Sequence, residues 1–189
     1  MTDLAPDPVR MTGAEFDRLG AAGDASVRGR TELRQGVVTR MAPEYLPHGR
    51  LKFWLGKKLE ATLTAAGLSF VVDLDVTVRF SGRRFRPLPD LTVWNGGPLK
   101  GPIPGDRVRL IVEIADETLS DNLGPKRIEY AAAGLPEYWV LDVNARALHI
   151  FHDLVEGDYR GRRIVRAGEK AECVTLAGVT LDFDPPALG

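Results

Sequence analysis

Between Val108 and Val143 the chain runs strand, helix, strand, and no other stretch restricts its fold as tightly. Val108 to Ala115 is a β-branched, apolar run of the kind a central strand carries. A polar segment follows. A helix then opens with Pro125 in its first turn, where a missing N–H costs nothing, and closes at Gly134. Tyr138 to Val143 returns as an apolar strand. Two strands joined through a helix form a crossover unit, so they pair in parallel.

The remainder arranges itself around that unit. Thr12, followed three positions later by Glu15, predicts a capping box for a short helix ending near Gly20. Glu32 to Met41, with Gly36 inside it, reads as a strand or hairpin, and Pro43 and Pro47 predict a turn after it. Leu51, Trp54, Leu55, Lys58, Leu59 and Leu63 then recur at helical spacing, with Lys52, Lys57 and Glu60 on the opposite side and Gly67 as the stop. From Phe70 to Val78 the period changes to two, which predicts a half-buried strand, and Leu91 to Trp94 makes a second. Asn95 to Asp106, rich in Gly and Pro, reads as loop. Leu148 to Phe151, Tyr159 to Val165 and Cys173 to Leu181 add short strands. The class is α/β, or α+β: a mixed sheet, antiparallel around residues 70–115 and parallel across the crossover, with helices packed on it. A flexible tail over 1–11 and one domain over 12–189 are expected, with a core at about 32–143 and β additions over 144–185.

Composition excludes several function classes. The formal net charge is −1, which argues against coating nucleic acid by bulk electrostatics. The bases are nevertheless mostly arginine, the residue suited to bidentate phosphate contacts. Arg79, Arg83, Arg84 and Arg86 form the densest group; they fit either a solvated hairpin turn or a phosphate-facing loop, with Arg83 and Arg84 the candidate contacts. Cys173 is the only cysteine, which excludes an internal disulfide and a cysteine-bound zinc, and it reads as a buried small hydrophobe. A cytoplasmic protein is expected, with no membrane span and no nucleotide cofactor, because "NGGPLKGPIPG" lacks the Lys-Ser or Lys-Thr of a phosphate loop.

The candidate chemistry rests on two acids. Asp90 begins a strand, and Glu113 interrupts the apolar run of Leu110, Ile111, Val112 and Ile114, where an unpaired carboxylate is costly to bury. Glu113 therefore wants a cation, either an arginine or a divalent metal shared with Asp90. Two carboxylates plus waters and phosphate oxygens suit Mg²⁺ or Mn²⁺. Lys126, in the first turn of the following helix, is either a solvated lysine or an ammonium reaching back to these acids. Asp73 and Asp75 alternate along a strand and read as solvent-facing; Tyr138 and Trp139 read as core. His48, His149 and His152 form no zinc-hydrolase motif.

"ELRQGVVTRMAP" with His48 after it, "PDLTVW", "IVEIADETL" and "LGPKRIEYAAAGLPEYWVLD" occur in order over Glu32 to Asp142. This series resembles the Uma family of putative restriction endonucleases, a branch of the PD-(D/E)XK nuclease superfamily. The resemblance implies a restriction-endonuclease-like core with flanking helices and extra strands at both ends. It implies that Asp90 and Glu113 hold the metal, that Lys126 completes the catalytic group, and that Glu32 and His48 line the same cleft. The superfamily's usual lysine position, two residues after the glutamate, is Ala115 here, so Lys126 is the carried-over lysine. Asn122 and Val37 stand where the family often has acids. The implied function is a metal-dependent endonuclease hydrolysing DNA phosphodiester bonds, with DNA as partner and a homodimer expected if duplex is cut on both strands. The alternatives are a catalytically weak or inactive nuclease-fold binding module and a hydrolase of another phosphate compound.

Overall fold

The computed structural model describes residues 10–187. Of the tail, residues 1–9 lie outside the described residues, whereas Met11 is already tied down by its N–H, which donates to the Gly36 carbonyl (2.9 Å). In chain order the elements are α1 (Gly13–Ala21), β1 (Thr31–Arg34), β2 (Val37–Arg40), α2 (Leu46–Ala65), β3 (Phe70–Leu74), β4 (Val78–Arg79), β5 (Leu91–Asn95) and β6 (Ile103–Pro104). There follow β7 (Val108–Ala115), α3 (Leu119–Asp121), a π-helical turn (Asn122–Lys126), α4 (Arg127–Ala132), β8 (Glu137–Asp142), β9 (Ala147–Val155), β10 (Asp158–Arg166), β11 (Glu169–Glu172) and β12 (Thr180–Phe183).

Six strands form the central sheet in the order β10-β9-β8-β7-β5-β3. β7 and β8 pair in parallel, as a crossover requires, and every other pairing in this sheet is antiparallel. One face packs against α2 through Leu51, Leu55, Leu59 and Leu63, a four-residue ridge that meets Leu91, Leu110, Val112 and Trp139. The other face packs under the α3–α4 segment, where Tyr130, Ala131 and Leu135 meet Ile111, Tyr138, Val140 and Phe151.

The capping box at Thr12 and Glu15 is present, and β1–β2 is a hairpin whose two turn residues, Gln35 and Gly36, both have positive φ (50° and 82°). Primed turns of this kind match the strand twist.

Several sequence expectations are corrected. Pro47 lies inside the first turn of α2 rather than in a turn before it, because a proline without an N–H is tolerated there. The strand expected over 70–78 ends at Leu74: Asp75 adopts φ 54°, and Val78–Arg79 leaves the sheet to pair with β6. The helix after β7 begins at Leu119, not at Pro125, whose missing donor is absorbed within the π-helical turn. Cys173 to Val179 forms the turn between β11 and β12.

Arg86 also departs from the reading of its group as a solvated or phosphate-facing turn. It is buried, its Nε and Nη2 donate to the Asp17 carboxylate (2.9 Å each), and its Nη1 donates to the Phe80, Phe85 and Arg83 carbonyls. A Cβ on Gly13 would lie 2.5 Å from this guanidinium, so the glycine makes room for it. Arg86→Ala is expected to cost about 3 kcal/mol in urea unfolding, since it leaves Asp17 unpaired. A cost below about 0.5 kcal/mol, the range of ordinary surface substitutions, would show that the network is not structural.

Candidate functional site

Asp90 stands just before β5, one step beyond the Leu91–Val112 pair, which brings it beside Glu113 on β7. Its Oδ2 accepts the Ile114 N–H (2.7 Å), and its Oδ1 lies 2.9 Å from His48 Nε2. Burial alone would raise the Asp90 pKa; the His48 hydrogen bond and charge, the Ile114 N–H and the nearby Lys52 together hold it below the usual carboxylate range. His48 moves the other way: burial would lower it, and Asp90 and Glu44 raise it further than burial lowers it. The pair favours a charged imidazolium beside a charged carboxylate.

Glu113 is buried in the same corner and shares its Oε1 between the Tyr130 hydroxyl (2.7 Å) and Lys126 Nζ (3.0 Å). Lys126 is itself 3 % exposed, which overturns the solvated alternative; the π-helical turn places it over the sheet. Its Nζ also lies 3.4 Å from Glu32 Oε2, an oxygen that is buried and has no hydrogen-bond partner among the described residues. Burial pushes Glu113 from an ordinary 4.5 up to about 7; Lys126 pulls it down, but the Asp90 and Glu32 charges add to the rise. Burial acting on Lys126 is outweighed by Glu113 and Glu32, so the ammonium keeps its proton above the ordinary lysine range.

This shift has a sign that can be measured. Between about pH 4.5 and pH 7 the folded chain holds a proton on Glu113 that the unfolded chain has released, so this group contributes stability at low pH and loses it as pH rises through 7. Comparing unfolding free energies across that window, Glu113→Gln is expected to lack this component while the parent shows it. Identical pH slopes in the two proteins would refute the assignment.

A third group joins from α2 and the chain before it. Lys52 is 4 % exposed; its Nζ contacts the Glu44 carboxylate, lies 2.6 Å from Asp75 Oδ2 and 3.8 Å from Asp90 Oδ1. The expectation that Lys52 faces solvent is therefore corrected, as is that for Asp75, which also pairs with Arg30 (2.9 Å). Lys52 follows His48 by four positions, one helical turn, and that spacing was a usable signal. Glu44 carried none. Asp73, by contrast, accepts from Trp94 Nε1 (2.6 Å).

Glu44, His48 and Asp90 each place one ligand atom within 4.8 Å of the others, a donor set of two oxygens and one nitrogen that fits a divalent cation. Asp90 and Glu113 offer two oxygens of the kind a hard cation takes. Asp90 belongs to both sets. Thus the fold gathers Glu32, His48, Asp90, Glu113 and Lys126 at one end of β5 and β7. Arg83 and Arg84 sit apart on the exposed turn after Phe80. Cys173 is buried as expected, its thiol pushed up by burial and the neighbouring Glu137; Tyr138 and Trp139 are core.

A mixed sheet with helices on both faces and an acid–lysine cluster at the strand ends defines a nuclease-like fold. It is shared with the crystal structure of a "putative nuclease belonging to DUF820" from Anabaena variabilis, at TM-score 0.58 and 12% identity over 73% of this chain and 77% of that one. The chain belongs to the Uma2 family, described as "Putative restriction endonuclease", whose profile matches residues 14–184. No curated protein matches it. Among the described residues, no helix is long and apolar enough to cross a membrane.

Proposed function

We propose that the protein is a divalent-cation-dependent endonuclease that hydrolyses phosphodiester bonds of DNA. The observation that carries this reading is the buried Lys126–Glu113 pair beside Asp90, three ionised or ionisable groups kept together at the cost of desolvation. Asp90 and Glu113 are the proposed cation ligands, with Mg²⁺ or Mn²⁺ as the ion; Glu44 and His48 are the further donors on Asp90's other side. A cation held by these residues would supply Lewis-acid polarisation of a phosphoryl oxygen and a more nucleophilic water at neutral pH. Lys126 donates to the phosphoryl oxygens as charge develops on them, and Tyr130 and Ile114 N–H fix the two carboxylates in place. Glu32, 3.4 Å from the same Nζ, adds a second negative charge to balance the ammonium.

Arg83 and Arg84 are proposed to touch phosphates flanking the cleaved bond. A homodimer is proposed because one chain offers one such cluster and cutting both strands of a duplex takes two.

The test is incubation of the purified chain with supercoiled plasmid and with single-stranded DNA, with Mg²⁺, Mn²⁺ or EDTA. Nicking or linearisation that requires the cation is expected. No cleavage of either substrate with either ion would overturn the reading in favour of a binding module, a reading that Lys52 and Lys126, which already neutralise the acids internally, also fit.

A further inference from the structure

The helical segment that delivers Lys126 is gripped from outside by β1. Glu32 and Arg34 are two positions apart on that strand, so they face the same way, while Leu33 between them packs on the other side against Phe16 and Val27. Glu32 lies 3.4 Å from Lys126 Nζ. Arg34 reaches the same segment at two further points: its Nη1 donates to Asp121 Oδ2 (2.6 Å) and its Nε to Glu129 Oε2 (2.7 Å). Asp121 ends α3 and Glu129 lies in α4, so one guanidinium pairs with an acid before the π-helical turn and an acid after it. The strand that carries it is firmly held. Leu33 and Arg86 exchange both backbone hydrogen bonds (3.0 and 2.8 Å), and Arg86 is fixed to Asp17.

The spacing of the two acids does not suit an unbroken α-helix. Asp121 and Glu129 are eight positions apart, which at 3.6 residues per turn leaves their side chains about 80° apart around the axis. A π-helical turn closes i→i+5 and takes up one more residue than an α turn, so only seven positions of α-helical rotation remain, within about 20° of two full turns. Both acids then share a face. The Arg34 fork therefore fits the segment with its extra residue and not the α-helical alternative. Such turns are rare in helices, and here contacts outside the helix hold one: Arg34 from β1, and from β8 the Tyr138 hydroxyl, which donates to the Asn122 carbonyl (3.2 Å).

Rotation across the turn sets where its last residue points. Lys126 is that residue, and its Nζ meets Glu113 Oε1 at 3.0 Å. We propose that Arg34 is a positioning residue: by bridging Asp121 and Glu129 it holds the π-helical register that aims Lys126 at Glu113. The inference rests on the nuclease reading and deepens it, because it names a side chain that acts on the reaction only through Lys126. Two parallel contacts need a guanidinium. A lysine at this position carries the charge without the fork that spans both ends of the turn.

The test combines amide hydrogen exchange with single-turnover plasmid cleavage. In Arg34→Met, exchange is expected to speed up at residues 122–127 while the β7 and β8 amides keep their protection. Cleavage should slow about tenfold or more, with the half-saturating concentrations of DNA and Mg²⁺ unchanged, the split expected of a group that touches neither. In a Lys126→Met background the same substitution should slow cleavage no further, since a residue acting through the lysine has nothing left to position. Asp121→Ala guards against misfolding as the cause: the Asp121 side chain is 42% exposed, so its loss is well tolerated, yet it frees one end of the turn and should slow cleavage in the same direction. Arg34→Lys should fall between Arg34→Met and the parent. Parental cleavage by Arg34→Lys would reduce the role to charge alone and overturn the bridge, as would unaltered exchange at 122–127 in Arg34→Met or rate losses that multiply in the double variant. A parent that cleaves no DNA would overturn the nuclease reading instead, and the exchange data would still decide whether Arg34 holds the turn.

Discussion

Asp90→Asn should reduce single-turnover plasmid cleavage at saturating Mg²⁺ by about 1,000-fold or more, the scale expected when a central electrostatic element of a phosphoryl-transfer site is lost. The substitution is nearly isosteric, and its amide oxygen still accepts the Ile114 N–H, so circular dichroism should show a folded protein, with a lowered melting temperature because the charge paired with His48 is lost. What disappears is the charge that attracts both His48 and a cation. Asp90 is common to the two donor sets, and three companion variants separate them. If Asp90 and Glu113 hold the ion, Glu113→Gln abolishes divalent-ion binding in calorimetry, whereas Glu44→Gln and His48→Asn leave it largely intact. If the nitrogen-containing set holds it, the order reverses and Mn²⁺ is favoured over Mg²⁺. A folded Asp90→Asn protein that cleaves at the parental rate would eliminate this corner as the catalytic site.

How much of this corner could be read from sequence differed by residue. Glu113 was legible because a charge inside Leu110–Ile114 has no low-energy explanation without a partner. Parallel pairing of β7 and β8 was legible because the intervening helix leaves no shorter connection. Lys52 was obscured by the dominant leucine ridge of α2: it sits at the margin of the buried stripe, and helical period alone does not say which marginal residue turns inward. Asp75 was misread for a different reason. Alternation from Phe70 to Val78 continues through it in sequence, yet its positive φ ends the strand and redirects the carboxylate toward Lys52 and Arg30. The start of the helix carrying Lys126 was displaced because Pro125 signals a first turn by its missing donor, and a π-helical turn satisfies the same constraint inside a helix. Glu44 lies in an irregular segment before α2, and its role depends wholly on tertiary contact.

Lys126 also carries the second large effect. Lys126→Met is expected to lower single-turnover cleavage by about 100-fold or more, because the ammonium is the donor best placed to meet charge developing on phosphoryl oxygens. Its burial changes how the experiment must be run. Removing a cation that lies 3.0 Å from Glu113 and 3.4 Å from Glu32 leaves two buried carboxylates uncompensated, so a loss of about 3 kcal/mol or more in stability is expected alongside the kinetic loss. Glu32→Gln/Lys126→Met removes one of those charges and should recover part of the stability without recovering cleavage. Lys126→Arg should fold better than the methionine variant yet cleave poorly, since a planar guanidinium does not replace a compact ammonium between two acids and a phosphate. Stability and rate thus separate: a purely structural lysine predicts that cleavage by each folded variant stays at the parental level. That result, with the melts showing folded protein, would remove Lys126 from the catalytic group and leave His48, 2.9 Å from Asp90, as the remaining candidate for proton transfer.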